Sequence, residues 1–181
     1  MLPHYSKVKA AQNKEEPVYS NLFGVQFQLP PSINGGDVLH QFAKNVTLPT
    51  HPEIQRQEQR YKHSTRTYLT MPESTSVDFE INFDVNLNEN NSPYTFKTLV
   101  DLYKLAYNPA TGETAPKADL ATTITVDVHN KVGEIVRRVI YKDAQIYNVS
   151  DQELDWENTE LFDFTASFVS DNWDDLIIGD E

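Results

Sequence analysis

The sequence predicts a mainly β protein of the α+β type: an antiparallel β-sandwich or barrel with one flanking helix, a long projecting loop and an N-terminal arm. Three observations predict it. Several segments alternate apolar and polar side chains with the two-residue period of a half-buried strand. A single segment has a helical apolar face. Finally, 181 residues with 39% hydrophobic and 11% aromatic content suffice for one domain with its own core.

The predicted domain organisation has three parts. Residues 1–16 are polar and of mixed charge, and we expect a flexible arm. Residues 17–175 form the sandwich domain, whose first strand is aromatic and β-branched and stops at Pro30. Residues 176–181 are expected to be an acidic tail.

A change of pattern follows an apolar patch at residues 38–48. Residues 50–70 hold few apolar side chains and many Gln, Arg, His and Thr, with no apolar stripe to bury. We therefore expect a long exposed loop or hairpin here. Connections of this length are usually functional or disordered.

The strongest strand pattern covers residues 77–87, where every odd position is apolar and every even one is Asp, Glu or Asn. It predicts a half-buried strand with an acidic outer face. After a turn, Ser92 as N-cap and Pro93 as first helical residue predict a helix over 93–107. The apolar face of this helix is expected to contain Phe96, Leu99, Val100, Tyr103 and Tyr107.

The remaining segments predict three or four strands. Residues 120–129 and 134–141 alternate on either side of a turn that contains Gly133, which predicts a hairpin. A shorter strand is expected at 144–149 and a closing strand at 161–169. Short antiparallel strands with one helix are typical of a sandwich or barrel.

The charge of the chain is unevenly distributed. The net charge of −12 argues against a protein that wraps nucleic acid. Residues 1–72 hold eight Lys and Arg against five Asp and Glu, whereas residues 73–181 hold seven against twenty-two. Two interpretations stay open: a solvated acidic tail, or a molecule whose complementary ends stack on copies of itself.

The residues needed for chemistry are absent or scattered. The lack of cysteine excludes disulfides, thiolate metal sites and a cysteine nucleophile. The five histidines have no metal-ligand spacing, and no phosphate-binding or nucleophile motif occurs. Asp127 and His129 are expected to be a polar pair on the surface, and the acidic run at 151–157 lacks the glycine of a Ca²⁺ loop. We expect no enzyme and no catalytic, cofactor or metal site.

Nor does the sequence indicate a membrane or a secreted protein. No apolar run approaches the ~20 residues that span a bilayer. The first residues lack the apolar centre of a signal peptide. Synthesis in a cytosol is the expectation.

The order of these features resembles the tail tube proteins of contractile-tailed bacteriophages. Residues 45–49 (Asn-Val-Thr-Leu-Pro) are similar to the family's strand that ends at Leu-Pro before a long variable loop. The alternating strand, the single helix and the glycine-containing hairpin follow in the family's order. Ala-Gln-Ile at 144–146 and the closing Phe-Thr-Ala-Ser-Phe-Val-Ser-Asp-Asn-Trp at 164–173 complete the resemblance over residues 17–175. The N-terminal extension and the lack of a glycine-rich pattern in the first strands depart from it.

This resemblance implies a structural protein without catalysis. Six copies would form a ring, and rings would stack into a hollow tube through which DNA passes without specific binding. Tail sheath, baseplate and tape-measure proteins would be its partners, in a virion assembled in the bacterial host cytoplasm. The basic-leaning loop would make the inter-ring contact, and the acidic strand face would line the lumen. The inter-ring candidates are Glu53, Arg56, Arg60, Lys62 and Arg66, and the lumen candidates are Asp78, Glu80 and Asp84.

Three alternatives remain at this stage. A tube initiator or terminator has the same fold and differs in what it contacts. The tube subunits of type VI secretion and of contractile injection systems are similar in architecture. From a different class, a monomeric β-sandwich could bind carbohydrate or protein through exposed aromatic side chains.

Overall fold

The computed structural model describes residues 20–51, 53–71, 76–85, 87, 92–151 and 162–178. The predicted arm at 1–16 and nearly all of the acidic run at 151–157 lie outside these residues. In chain order the elements are β1 (Phe23–Gln28), α1 (Gly36–Phe42), β2 (Ala43–Val46), β3 (Gln55–Tyr61), β4 (Ser64–Thr70), β5 (Val77–Asp84), α2 (Tyr94–Ala106), α3 (Lys117–Leu120), β6 (Thr122–His129), β7 (Ile135–Asp151), β8 (Asp163–Ser170) and β9 (Asn172–Ile177).

Two antiparallel sheets share one long strand, β7. Its first half pairs with β6 and β9, and β1 adds to β6. Its second half pairs with β8, followed by β5 and β2. Between the halves, Asp143 has a φ of 52°, a left-handed conformation that bends the strand from one sheet into the other. The separate strand predicted at 144–149 is therefore the continuation of the hairpin strand.

The core between the sheets is aromatic. Phe79 stacks on Tyr141, with ring centroids 3.8 Å apart, and on Phe168 at 5.4 Å. Phe83 stacks on Phe164 at 5.4 Å. Among the odd positions of β5, Phe79, Ile81 and Phe83 are buried as predicted and Val77 is partly buried. The strand ends at Asp84 rather than at residue 87, and Leu87 is exposed. The predicted fold class, an antiparallel sandwich with a flanking helix, is confirmed.

Helix α2 covers the predicted helical segment, and most of its predicted apolar face packs on the core. Leu99 is fully buried, Phe96 and Tyr103 are partly buried against the core, and Tyr107 is exposed. The buried stripe contains two threonines that look polar in the sequence, and one of them, Thr98, donates its hydroxyl to the Tyr94 carbonyl. The fully buried side chains of the helix are Thr95, Thr98, Leu99 and Leu102.

The ends of several elements also differ from the predictions. Pro93 directly precedes α2 and no side chain caps the helix, so the predicted N-cap at Ser92 is wrong. Two short helices, α1 and α3, occupy segments predicted as an apolar patch and a polar loop. Strand β9 extends to Ile177, two residues into the predicted tail. None of the described helices is long and apolar enough to cross a membrane.

Candidate assembly interface

Residues 55–70 form a hairpin that stands away from the sandwich. Strands β3 and β4 pair from Gln55 opposite Thr70 to Tyr61 opposite Ser64, with a turn at Lys62 and His63. Every residue of both strands is exposed, and the two strands form a sheet of their own. Of the two predicted forms, loop or hairpin, the structure has the hairpin. An isolated two-stranded hairpin is marginally stable in water, and no residue of either strand is buried.

One face of the projecting hairpin is internally bonded. The Tyr61 hydroxyl donates to Gln59 Oε1 at 3.0 Å and lies 3.4 Å from the Tyr68 hydroxyl. The hydrogen bond with Tyr68 raises the pKa of Tyr61. The Arg66 guanidinium lies over the Tyr61 ring, 5.6 Å from its centroid. We call this side the tyrosine face; its residues are Gln55, Gln57, Gln59, Tyr61, Ser64, Arg66, Tyr68 and Thr70.

On the opposite side, the arginine face, the described residues show no such internal bonding. Arg56 lies opposite Leu69 and Arg60 opposite Thr65, and neither guanidinium has a hydrogen bond or ion pair among the described residues. Ile54 and Met71 directly flank the ladder and extend the same alternation. The arginine face therefore consists of Ile54, Arg56, Glu58, Arg60, Thr65, Thr67, Leu69 and Met71.

The five predicted interface residues are thus divided. Arg56 and Arg60 share the arginine face, whereas Arg66 lies on the tyrosine face. Lys62 is in the turn and Glu53 precedes β3. Sequence reasoning grouped the three arginines because strand register, which separates them, was not visible.

In the described part of the sandwich, five cations form ion pairs with carboxylates, unlike the two arginines of the arginine face. Arg138 donates two hydrogen bonds to Asp127, at 2.6 and 3.0 Å, and Arg137 does the same to Asp175, at 2.9 and 2.8 Å. Lys44 lies 3.5 Å from Asp84 and 3.4 Å from Asp163. Lys117 pairs with Asp171, and Lys142 with Asp174. These five cations are therefore neutralised within the sandwich, whereas Arg56 and Arg60 have no carboxylate partner among the described residues.

A small cluster anchors the base of the hairpin. His51 Nε2 lies 3.3 Å from Asp175 Oδ2, and the His51 ring lies 5.1 Å from the ring of Trp173. Hydrogen bonding to Arg137 lowers the pKa of Asp175. This cluster is not evident from the sequence, because it forms only when β9 pairs with β7. One signal in the sequence pointed to it: three cations at residues 137–142 lie in a strongly acidic half of the chain.

The three lumen candidates lie on the face of β5 that points away from the core. Asp78 and Glu80 are exposed, and Ser167 donates to Glu80 at 3.3 Å. Asp84 is half-buried and ion-paired with Lys44. The three candidates therefore share one face of β5, but the charge of Asp84 is neutralised by Lys44.

The expected surface pair of Asp127 and His129 is wrong. Asp127 is buried and held by Arg138, while His129 Nδ1 lies 3.3 Å from the Gly133 carbonyl oxygen. Burial of Asp127 is possible because both its oxygens are bonded to the guanidinium. In the described part of the chain, no group of three His, Asp or Glu side chains is arranged to hold a metal ion.

Comparison with known proteins identifies the fold. No protein-family model and no curated protein sequence matches the chain. It is similar to a chain of the PVC sheath–tube complex, an extracellular contractile injection system, in the extended state, with a TM-score of 0.60 and 11% identity over 98% of this chain and 100% of that one. It is also similar to a chain of the PVC sheath/tube terminator in the extended state. The TM-score is 0.60, and the identity is 11% over 90% of this chain and 98% of that one.

A third similar chain comes from the baseplate of the anti-feeding prophage, with a TM-score of 0.56 and 12% identity over 91% of this chain and 98% of that one. At such low identity the likeness is one of fold. It extends over nearly the whole length of both chains in each comparison. The chain therefore has the tail-tube fold that its sequence resemblance predicts.

Proposed function

We propose that this chain is a structural subunit of the tube of a contractile tail. Six copies close into a ring, rings stack into a hollow tube, and the projecting hairpin reaches the next ring. The observation that carries this proposal is the hairpin itself: sixteen paired and turn residues, all exposed, with two arginines on one face that have no partner among the described residues. A segment that buries none of its own side chains is best explained by a contact with another copy.

Open strand edges support assembly into a ring. Within the described residues, β1, β2 and β9 each pair with one neighbouring strand only. Exposed edges are templates for pairing with other chains. Ring closure satisfies such edges, and a monomeric binding module leaves them open.

The acidic face of β5 is proposed to line the channel. Asp78 and Glu80 are exposed there, and six copies repeat them around each ring. A negative wall repels phosphates, so DNA moves through without being gripped. In this role the tube works in a phage particle, without catalysis, with sheath, baseplate and tape-measure proteins as partners, after assembly in the host cytoplasm.

A second candidate is the tube of a contractile injection system. The fold likeness to chains of the PVC and anti-feeding prophage assemblies favours it. Both candidates use the same subunit and the same hairpin contact, and they differ in what passes through the lumen. A tube terminator is distinguished by forming single rings rather than long tubes.

Removing the hairpin tests the proposal. Because Gln55 and Thr70 are directly opposite each other, a short Gly-Ser linker can replace residues 55–70 without moving the sandwich. Negative-stain microscopy is expected to show tubes for the parent chain and isolated rings or single subunits for the deletion, with unchanged circular dichroism of the sandwich. A parent chain that stays monomeric at all concentrations contradicts the proposal, and a deletion variant that still forms long tubes contradicts the role of the hairpin.

The lumen assignment has its own test. Asp78→Lys with Glu80→Lys is expected to leave tubes intact and to slow DNA ejection from assembled particles, because the wall now attracts phosphates. Lys97→Glu on α2 serves as a charge-changing control elsewhere. A tube map with Asp78 and Glu80 on the outer surface refutes the assignment.

A further inference from the structure

We infer that the arginine face of the hairpin is the side buried on assembly, and that it packs against the apolar end of β9 in a second copy of the chain. The acceptor surface consists of Leu176, Ile177 and Ile178. This inference rests on the proposed tube function and adds to it which face docks and on what. It also divides the hairpin into a contact side and a side that holds its own shape.

The two faces of the hairpin differ in their internal contacts and in the apolar surface they expose. On the tyrosine face, Tyr61 bonds to Gln59 and Tyr68, and Arg66 covers the Tyr61 ring. The arginine face instead exposes apolar side chains at the hairpin base: the exposed fractions are 53% for Ile54, 68% for Leu69 and 88% for Met71. Burying apolar surface of this kind is favourable at roughly 25 cal/mol per Å². The side that has exposed apolar groups, and cations with no partner among the described residues, gains most from contact with a second copy.

The end of β9 has the complementary composition. Leu176, Ile177 and Ile178 are three consecutive exposed apolar residues, and the exposed fraction of Ile177 is 86%. The backbone of this segment is held in place, since the Ile178 amide donates to the Val136 carbonyl. In the sequence, Gly179 separates this segment from Asp180 and Glu181, and no Lys or Arg occurs after Lys142. An apolar segment in an acidic stretch of the chain matches the apolar groups beside Arg56 and Arg60.

The contact must come from another copy. The His51 cluster holds the hairpin base beside β9 of its own chain, at Trp173 and Asp175. Even so, Ile54, Leu69 and Met71 remain exposed, so the chain's own β9 does not cover them. A contact between two different surfaces of identical subunits propagates from copy to copy, which is what a stacked tube requires.

Cysteine mapping tests the inference in a chain that has no cysteine of its own. Leu69→Cys and Ile177→Cys are made in separate chains, mixed, allowed to assemble and treated with a short bismaleimide. Mass spectrometry is expected to find the peptide that joins residues 69 and 177, which must connect two copies. The matched control is Tyr68→Cys mixed with Ile177→Cys: residue 68 is adjacent but on the tyrosine face, and its cross-linked peptide should be several-fold less abundant.

Charge reversal provides an independent measurement on the same two faces. Arg60→Glu and Arg66→Glu change the same charge in adjacent residue pairs of the hairpin, on opposite faces. Arg60→Glu is expected to reduce the polymerised fraction in a sedimentation assay, and Arg66→Glu to reduce it much less. Both positions are exposed, so neither variant should unfold the sandwich.

Failure of this inference is distinguishable from failure of the proposed function. Tubes that form with residue 68 cross-linked in preference to 69, with neither cross-linked, or with Arg66→Glu as the more harmful variant, overturn the inference and leave the tube function standing. A cysteine-free parent that forms no rings or tubes overturns both.

Discussion

The sandwich and the projecting hairpin are both antiparallel β-structure, yet they are held together by different means. In the sandwich, alternate side chains are buried in an aromatic core, and Arg137 and Arg138 are each bonded to a carboxylate. In the hairpin nothing is buried, and Arg56 and Arg60 have no partner among the described residues. The sandwich thus folds for its own stability. The hairpin gains no such stabilisation from burial within the described chain, and the proposed contact with a second copy would supply it.

The largest expected difference between the two regions is the cost of removing an aromatic ring. Phe79→Ala removes the ring stacked between Tyr141 and Phe168, and we expect a loss of about 3–5 kcal/mol in the free energy of unfolding. Tyr68→Ala in the hairpin should change it by less than about 0.5 kcal/mol, as is usual for exposed positions. Urea titration measures both. Comparable losses would mean that the hairpin packs on the sandwich.

A smaller difference between the two regions is expected in how stability falls at acidic pH. Because Arg137 lowers the pKa of Asp175, the ion pair stabilises the fold above the unfolded-state pKa of about 4, and that contribution is lost as the pH falls through the lower folded value. Arg137→Gln should reduce stability at neutral pH and flatten its decline between about pH 5 and pH 3. Arg60→Gln, which breaks no pair, should leave the profile unchanged. Thermal unfolding at several pH values measures how stability changes with pH. If wild type and Arg137→Gln lose stability equally steeply in acid, the Arg137–Asp175 pair is not the cause.

A modest loss of stability at alkaline pH is expected from one buried tyrosine. Burial raises the pKa of Tyr141, whose hydroxyl donates to the Thr47 carbonyl. A raised folded pKa means that stability is complete below the unfolded value of about 10 and declines as the pH rises above it. Tyr141→Phe should weaken this decline, and Tyr68→Phe in the hairpin should not. Equal alkaline profiles for the two variants would exclude Tyr141 as the cause.

The smallest expected effect on folding stability comes from a substitution at the base of the hairpin. The same substitution should clearly reduce assembly. His51→Ala removes a mostly exposed side chain, so the free energy of unfolding should fall by less than about 1 kcal/mol. The polymerised fraction should fall as well, because the hairpin loses its anchor on Trp173 and Asp175. His63→Ala in the turn is the control. If both variants assemble like wild type, the cluster does not position the hairpin.

Much of the fold could be read from short stretches of sequence. The alternation in β5 and β8, the turn between β6 and β7 and the apolar spacing in α2 are local signals, and each element lies on its predicted segment. The details differ, since β5 stops at Asp84 and Thr95 and Thr98 are among the buried residues of α2. The exposed hairpin was also predicted, from its lack of an apolar stripe. Its five candidate residues could not be sorted by face, because a register of Arg60 opposite Thr65 depends on where the turn falls.

By itself, then, the sequence determined the alternating strands, the single long helix, the unburied segment before β5 and the strong division of charge along the chain. Those properties follow from side-chain periodicity and composition, which operate over a few residues. Only the tertiary structure decided that β7 is one bent strand, that two threonines of α2 are buried and that Asp127 is buried against Arg138. It alone brought β9 beside β7 and so created the cluster at His51. These features depend on pairing between segments far apart in the chain, where packing and burial override local preference.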